Sequence, residues 1–105
     1  MSTPLEIAKD YYEGWETKDG SKSKLYSGLE FRSPDADFRF AEDFLRACWQ
    51  FAGVKMENKK YITQGNTVCV RYEITSPNGT KKPYVEWITI DDGEIKSIEV
   101  FYDVR

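Results

Sequence analysis

Glu86 is a carboxylate set in a row of apolar side chains. It stands in the run TKKPYVEWITID (80–91), where Tyr84, Glu86, Ile88 and Ile90 share one side of a strand and Val85, Trp87 and Thr89 the other. A carboxyl group turned toward a core loses hydration, which penalises its charged form and raises its pKa toward neutrality. Beside a phenol, such a group can hydrogen-bond a ligand carbonyl or steady an enolate. It can equally be a buried polar pair with Tyr11 or Trp87. Tyr11 is the phenol considered, on the apolar stripe Leu5, Ala8, Tyr11, Tyr12, Trp15 of an N-terminal helix. Asp35 and Asp37, in the loop Ser33-Pro34-Asp35-Ala36-Asp37, are proton acceptors by type, although their context is that of turn or cap residues. Asp103 reads as a surface or capping carboxylate.

Other chemistry is excluded by what the chain lacks. It contains no histidine, which removes the commonest general base, the imidazole metal ligand and any histidine-containing triad. No metal site and no cofactor is expected. The net charge of −3 argues against a nucleic-acid or anionic-membrane footprint. Cys48 and Cys69 are too far apart for a CxxC motif and read as buried free thiols rather than a disulfide. With no signal peptide ahead of the first element and no apolar run of membrane-spanning length, a soluble cytoplasmic protein is expected.

The 105 residues suffice for one domain. Thr3-Pro4-Leu5-Glu6 combines a cap, a first-turn proline and a capping-box glutamate, and Gly20 is the expected terminator. A short segment, 21–27, is expected to make one or two helical turns ending at Gly28. Leu29 to Ser33 alternates as a strand stopped by Pro34. Phe40, Phe44, Leu45, Cys48, Trp49 and Phe51 predict a long helix over 38–51 with Gly53 behind it. Strands follow over 54–64 and 67–75, then a hairpin turning at Asp91-Asp92-Gly93-Glu94, whose second strand alternates Ile98, Val100 and Tyr102 with Ser97, Glu99 and Phe101. The pattern is α+β: helices first, then a meander of strands able to wrap over them.

The segments AKDYYEGWETKDG, LEFRSP and EWITIDDGEIKSIEVFYD, in this order and spacing, resemble the nuclear-transport-factor-2-like superfamily and, within it, SnoaL-like and ketosteroid-isomerase-like proteins. The resemblance implies one domain over residues 1–105, a cone-shaped curved antiparallel or mixed sheet around N-terminal helices (a cystatin-like α+β barrel), and a homodimer. Against ketosteroid isomerase, whose apolar site keeps one carboxylic acid protonated, Tyr11 falls at the oxyanion-site tyrosine and Glu86 at its protonated acid. The general-base position before Pro34 holds Ser33, which cannot shuttle a proton at neutral pH. Asp35 or Asp37 would have to substitute. SnoaL-type cyclases alternate a histidine and an aspartate on the last strand, where this chain has Ile98 and Val100.

The expected product is a hollow between sheet and helices. Its lining would be Tyr11, Trp15, Phe44 and Trp49 from the helices, and Val68, Val70, Tyr72, Tyr84, Glu86, Ile88, Ile98, Val100 and Tyr102 from the sheet. On the outer face Cys69, Arg71, Val85, Trp87 and Phe101 form the expected two-fold interface. Three functions fit: a binder of a small apolar, carbonyl-containing or polycyclic ligand; an isomerase- or cyclase-type enzyme using Glu86 and Tyr11; and a non-catalytic dimeric adaptor with a filled core.

Overall fold

A computed structural model describes residues 3–103. Helix α1 spans Pro4–Thr17, and its capping box forms as expected: the Thr3 hydroxyl accepts the Glu6 N–H at 3.2 Å while Glu6 Oε1 accepts the Thr3 N–H at 3.2 Å. The helix stops before Gly20. Lys18 takes the left-handed conformation (φ 60°) and the chain doubles back, so that the Asp19 N–H donates to the Gly14 carbonyl at 2.8 Å. A Cβ on Gly14 would stand 2.7 Å from the Asp19 carbonyl oxygen, so Gly14 rather than Gly20 permits the reversal. Asp19 caps a single 3-10 turn, Gly20–Lys22.

Strand β1 runs Leu25–Arg32, so the segment expected to be helical over 21–27 is divided: residues 21 and 22 lie in the 3-10 turn, residues 25–27 lie in the strand, and Gly28 is inside the strand rather than at a helix end. The ring of Tyr26 folds over Gly28, whose missing side chain leaves the room. A two-residue strand, β2 (Asp37–Phe38), pairs back on β1 through Phe31–Phe38 and Arg32–Asp37. Helix α2 is shorter than expected, Ala41–Cys48, continued by a 3-10 turn, Trp49–Phe51. Phe40 precedes it without a side-chain cap, so neither Asp35 nor Asp37 serves as one; Glu42 and Asp43 in the first turn complement the helix dipole. Gly53 (φ 92°) donates its N–H to the Trp15 carbonyl at 2.7 Å and ties the end of α2 to α1.

The remaining strands are β3 (Glu57–Gln64), β4 (Thr67–Thr75), β5 (Lys81–Asp91) and β6 (Glu94–Phe101). Asp92 and Gly93 both have positive φ, 53° and 74°, as a two-residue type I′ hairpin turn requires. The six strands form one curved mixed sheet in the order β2-β1-β6-β5-β4-β3, with β1 parallel to β6. It is an open sheet and not a closed barrel.

Register arranges the inner face in rows. Ile90 lies opposite Ile95. Val68, Ile88, Ile98 and Phe31 form the next row, Val70, Glu86 and Val100 the third, and Tyr72 and Tyr84 the fourth, with Tyr102 just beyond β6. Helix α1 covers these rows with Ile7, Ala8, Tyr11, Tyr12 and Trp15, and Phe44 of α2 closes the side. Burying this continuous apolar surface drives the assembly of sheet on helix.

Candidate functional site

Between the third and fourth rows and the two helices lies a hollow of about 170 Å³. Its walls include Tyr11, Trp15, Phe44, Tyr72, Tyr84, Glu86, Val100 and Tyr102 from the expected lining. Val68, Val70, Ile88 and Ile98 point to the same side but sit deeper, sealed in the packed core. Trp49 is not part of the wall and instead packs at a tilt against Trp15, ring centroids 5.0 Å apart. Phe31, Cys48, Phe51, Val54, Met56 and Ile74 complete the lining. Of these, Ile74 continues the β4 row that contains Tyr72, and Phe31 follows Leu29 in the alternating run of β1, so both were accessible from alternation. Cys48 lies one helical turn after Phe44 on α2, and Phe51, Val54 and Met56 come from the segment whose direction depends on how α2 ends. A wider mouth of about 710 Å³ shares Phe31, Cys48, Phe51, Val54, Ile74, Tyr84, Val100 and Tyr102 with the hollow and adds Ser33, Asp35 and Lys82.

Glu86 turns inward and is 6% exposed. Its Oε1 accepts the hydroxyl of Tyr12 at 2.9 Å, and its Oε2 accepts that of Tyr72. The expected pairing is thereby corrected. Tyr12 and Tyr72 hold the carboxyl, while Tyr11, the residue before Tyr12 on the helix, lines the hollow beside it, and Trp87 is on the far side of the sheet. Burial pushes the Glu86 pKa up, and the two phenol donors, which favour the charged form, only partly oppose it. The phenols of Tyr11, Tyr12 and Tyr72 are all pushed well above their ordinary values, by burial first and by the Glu86 charge second.

The Trp15 indole N–H is near enough to the Tyr11 oxygen to work against that rise. The two do not meet in hydrogen-bond geometry, however, and Nε1 has no partner among the described residues.

The tyrosines continue outward. Tyr72 and Tyr84 stack with centroids 5.5 Å apart, Tyr84 and Tyr102 lie 5.2 Å apart, and Tyr102 donates to Asp35 at the mouth. Burial, followed by the Asp35 hydrogen bond, raises the Tyr102 pKa. Lys82 places its ammonium 5.9 Å and 5.2 Å from the ring centres of Tyr84 and Tyr102. Ser33, at the general-base position, is locked in a turn: its Oγ donates to the Ala36 carbonyl at 2.9 Å and accepts the Ala36 N–H at 3.0 Å. Asp37 pairs with Arg32 across the β1–β2 hairpin and lines neither the hollow nor the mouth. Among the described residues, no group of three or more histidine, cysteine, aspartate or glutamate side chains is placed to hold a metal ion.

On the outer face, register sets Ile62, Cys69, Trp87 and Glu99 in one row and Lys60, Arg71, Val85 and Phe101 in the next. Trp87 (47% exposed), Phe101 (50%) and Ile62 (71%) leave much apolar surface in solvent. No helix among the described residues is long and apolar enough to cross a membrane.

No family model matches the sequence, and no curated protein matches it. Solved structures do match in shape. An NTF2-like protein of unknown function from Cytophaga hutchinsonii superimposes with a TM-score of 0.85 at 21% identity, covering 98% of this chain and 92% of that one. A provisionally assigned polyketide cyclase from Pseudomonas putida gives 0.84 at 11% identity, covering 99% and 94%. TerC co-crystallised with polyporic acid gives 0.77 at 22% identity, covering 97% and 92%. Identities this low speak to the fold alone. This chain has the NTF2-like fold.

Proposed function

We propose that this protein binds a small, planar, largely apolar ligand in the hollow beneath Glu86. The observation that carries the reading is the aromatic-walled space of about 170 Å³ that opens into a wider mouth. A dry apolar cavity of about 150 Å³ takes one benzene ring. Ligands of ordinary size need roughly 300–1,000 Å³. The hollow therefore fits one ring of a ligand whose remainder occupies the mouth. An adaptor whose core is filled by its own side chains would not leave this space. The free thiols of Cys48 and Cys69 suit a reducing, cytoplasmic setting.

Indane, a bicyclic hydrocarbon, tests the reading by calorimetric titration. At roughly 0.5 kcal/mol per heavy atom it should bind with a Kd on the order of 0.5 mM. Filling the hollow by Cys48→Trp should abolish this. No binding up to the solubility limit, or binding indifferent to the filled hollow, would sink the proposal.

One observation favours a second reading, proton transfer on a carbonyl compound: Asp35 lines the mouth and already accepts the Tyr102 hydroxyl. In that case the protein speeds deuterium exchange next to the carbonyl of 1-indanone, and Asp35→Asn abolishes the acceleration. Exchange no faster than in buffer removes the enzyme reading.

We further propose that a second copy of the chain covers the outer face around Trp87 and Phe101, in a homodimer whose register is set by Arg71 and Glu99. Trp87→Glu should give a monomer in sedimentation velocity, and a variant that still sediments as a dimer places the interface elsewhere.

A further inference from the structure

The inward row of β5 ends in a cation. Ile90, Ile88, Glu86 and Tyr84 follow one another along it, and the next position outward is Lys82, opposite Ile74 of β4. Alternation turns this lysine toward the space that the aromatic rows enclose. It is half-buried and lines the mouth together with Tyr84, Tyr102 and Asp35. Among the described residues, no other lysine or arginine lines either the hollow or the mouth.

The Lys82 ammonium is held by rings and not by a carboxylate. Its nitrogen lies 5.9 Å from the ring centre of Tyr84 and 5.2 Å from that of Tyr102. It forms no ion pair among the described residues. Asp35, the carboxylate that shares the mouth, accepts the Tyr102 hydroxyl instead. A ring face satisfies a cation only in part, and three N–H donors remain to be shared with water or a ligand. Glu86, deeper in the same row, is engaged at both oxygens by Tyr12 and Tyr72.

We infer that Lys82 receives an anionic oxygen group at the outer end of the ligand, so that the ligand is a planar aromatic acid with one ring in the hollow and its acid group at the mouth. This rests on the apolar-ligand reading above and adds the charged end of the ligand to it. The chain as a whole has a net charge of −3 and repels anions. A preference for an acid over a neutral molecule of the same shape therefore has to come from a local cation.

The test compares 2-naphthoate with 2-naphthamide, which share a frame and differ in charge, by calorimetric titration. At low ionic strength the acid should bind about fivefold more tightly, as expected of a partly exposed ion pair. The advantage should fade in 1 M sodium chloride, where the screening length is about 3 Å. Lys82→Met keeps an apolar stem over the rings and removes the charge. It should bring the ratio of the two affinities to one or below, because Asp35 is then the charge left in the mouth. Lys82→Arg should retain the preference. An acid bound no more tightly than its amide would make Lys82 only a cover for the rings and overturn the inference, while the binding of both molecules leaves the apolar-ligand reading standing. A preference that survives in Lys82→Met places the cation elsewhere and overturns it too. If neither molecule binds, the apolar-ligand reading fails first and takes this inference with it.

Discussion

The two ends of the inner sheet face are built from different side chains. At one end Ile7, Leu29, Val68, Ile88, Ile90, Ile95 and Ile98 meet, none more than 2% exposed. At the other end Tyr72, Tyr84 and Tyr102 face Tyr11, Trp15 and Phe44 across the hollow. Branched aliphatic chains interdigitate and fill a tapering space. Flat rings with two torsions tile its walls instead, meeting stacked, tilted or edge to face and leaving the middle open. The hydroxyls reinforce this, because Tyr12 and Tyr72 are held by Glu86 and Tyr102 by Asp35. Stability is thus concentrated in the aliphatic rows, and the capacity to bind in the aromatic ones.

Equal truncations at the two ends put this contrast under the greatest stress. Ile98→Ala, in the filled end, should lose about 2–5 kcal/mol in urea unfolding, the range for large-to-small core changes that open a new cavity. Ile74→Ala, beside the existing hollow, should lose only about 1 kcal/mol, mostly transfer free energy. Equal losses would mean that the aromatic end is packed as tightly as the other.

Next in size is Tyr12→Phe. It removes one donor from a buried carboxyl, and the expected loss is about 1–3 kcal/mol at neutral pH. The loss should shrink in acid, where Glu86 is protonated and makes less demand on its donors. A loss independent of pH would show that Tyr12 matters only as a packed ring.

The smallest effect is a slope. The folded-state pKa of Glu86 is raised above its unfolded value, so the folded chain binds more protons between the two. The resulting stabilisation is fully present below the unfolded pKa, near 4.5, and is lost as pH rises through the folded pKa. One group can contribute at most about 1.4 kcal/mol per pH unit. Glu86→Gln should flatten the profile above pH 4.5, and a slope identical to that of the parent would assign it to another group.

The strand rows of this architecture were readable because alternation is local. Val68, Val70 and Tyr72, and likewise Tyr84, Glu86 and Ile88, declare their side of the sheet within a few residues, as the capping box of α1 declares its start. What could not be read was any choice between neighbours on a broad helical face. Tyr11 and Tyr12 are adjacent on a helix that also buries Ile7, Ala8, Gly14 and Trp15. With so wide an apolar stripe, the sequence does not say which ring meets Glu86. Where α1 stops depends on the close approach of Asp19 to Gly14, which no propensity scale records. Leu25 is held as a strand residue by Ile95 of β6, far along the chain, with an irregular register before pairing resumes at Glu30, and local composition over 25–28 favours a turn.

The parallel pairing of β1 with β6 also has a kinetic consequence. β6 alone joins the β1–β2 pair to the β5-β4-β3 meander. The meander can zip from its tight hairpins in microseconds, as local antiparallel pairs do. Apart from the two residues of β2, the early strand has no neighbour to lie against until a segment more than sixty positions away, Ile95 against Leu25, has been ordered. Refolding should therefore wait on that single long closure, and β6 is the place to look for substitutions that slow it.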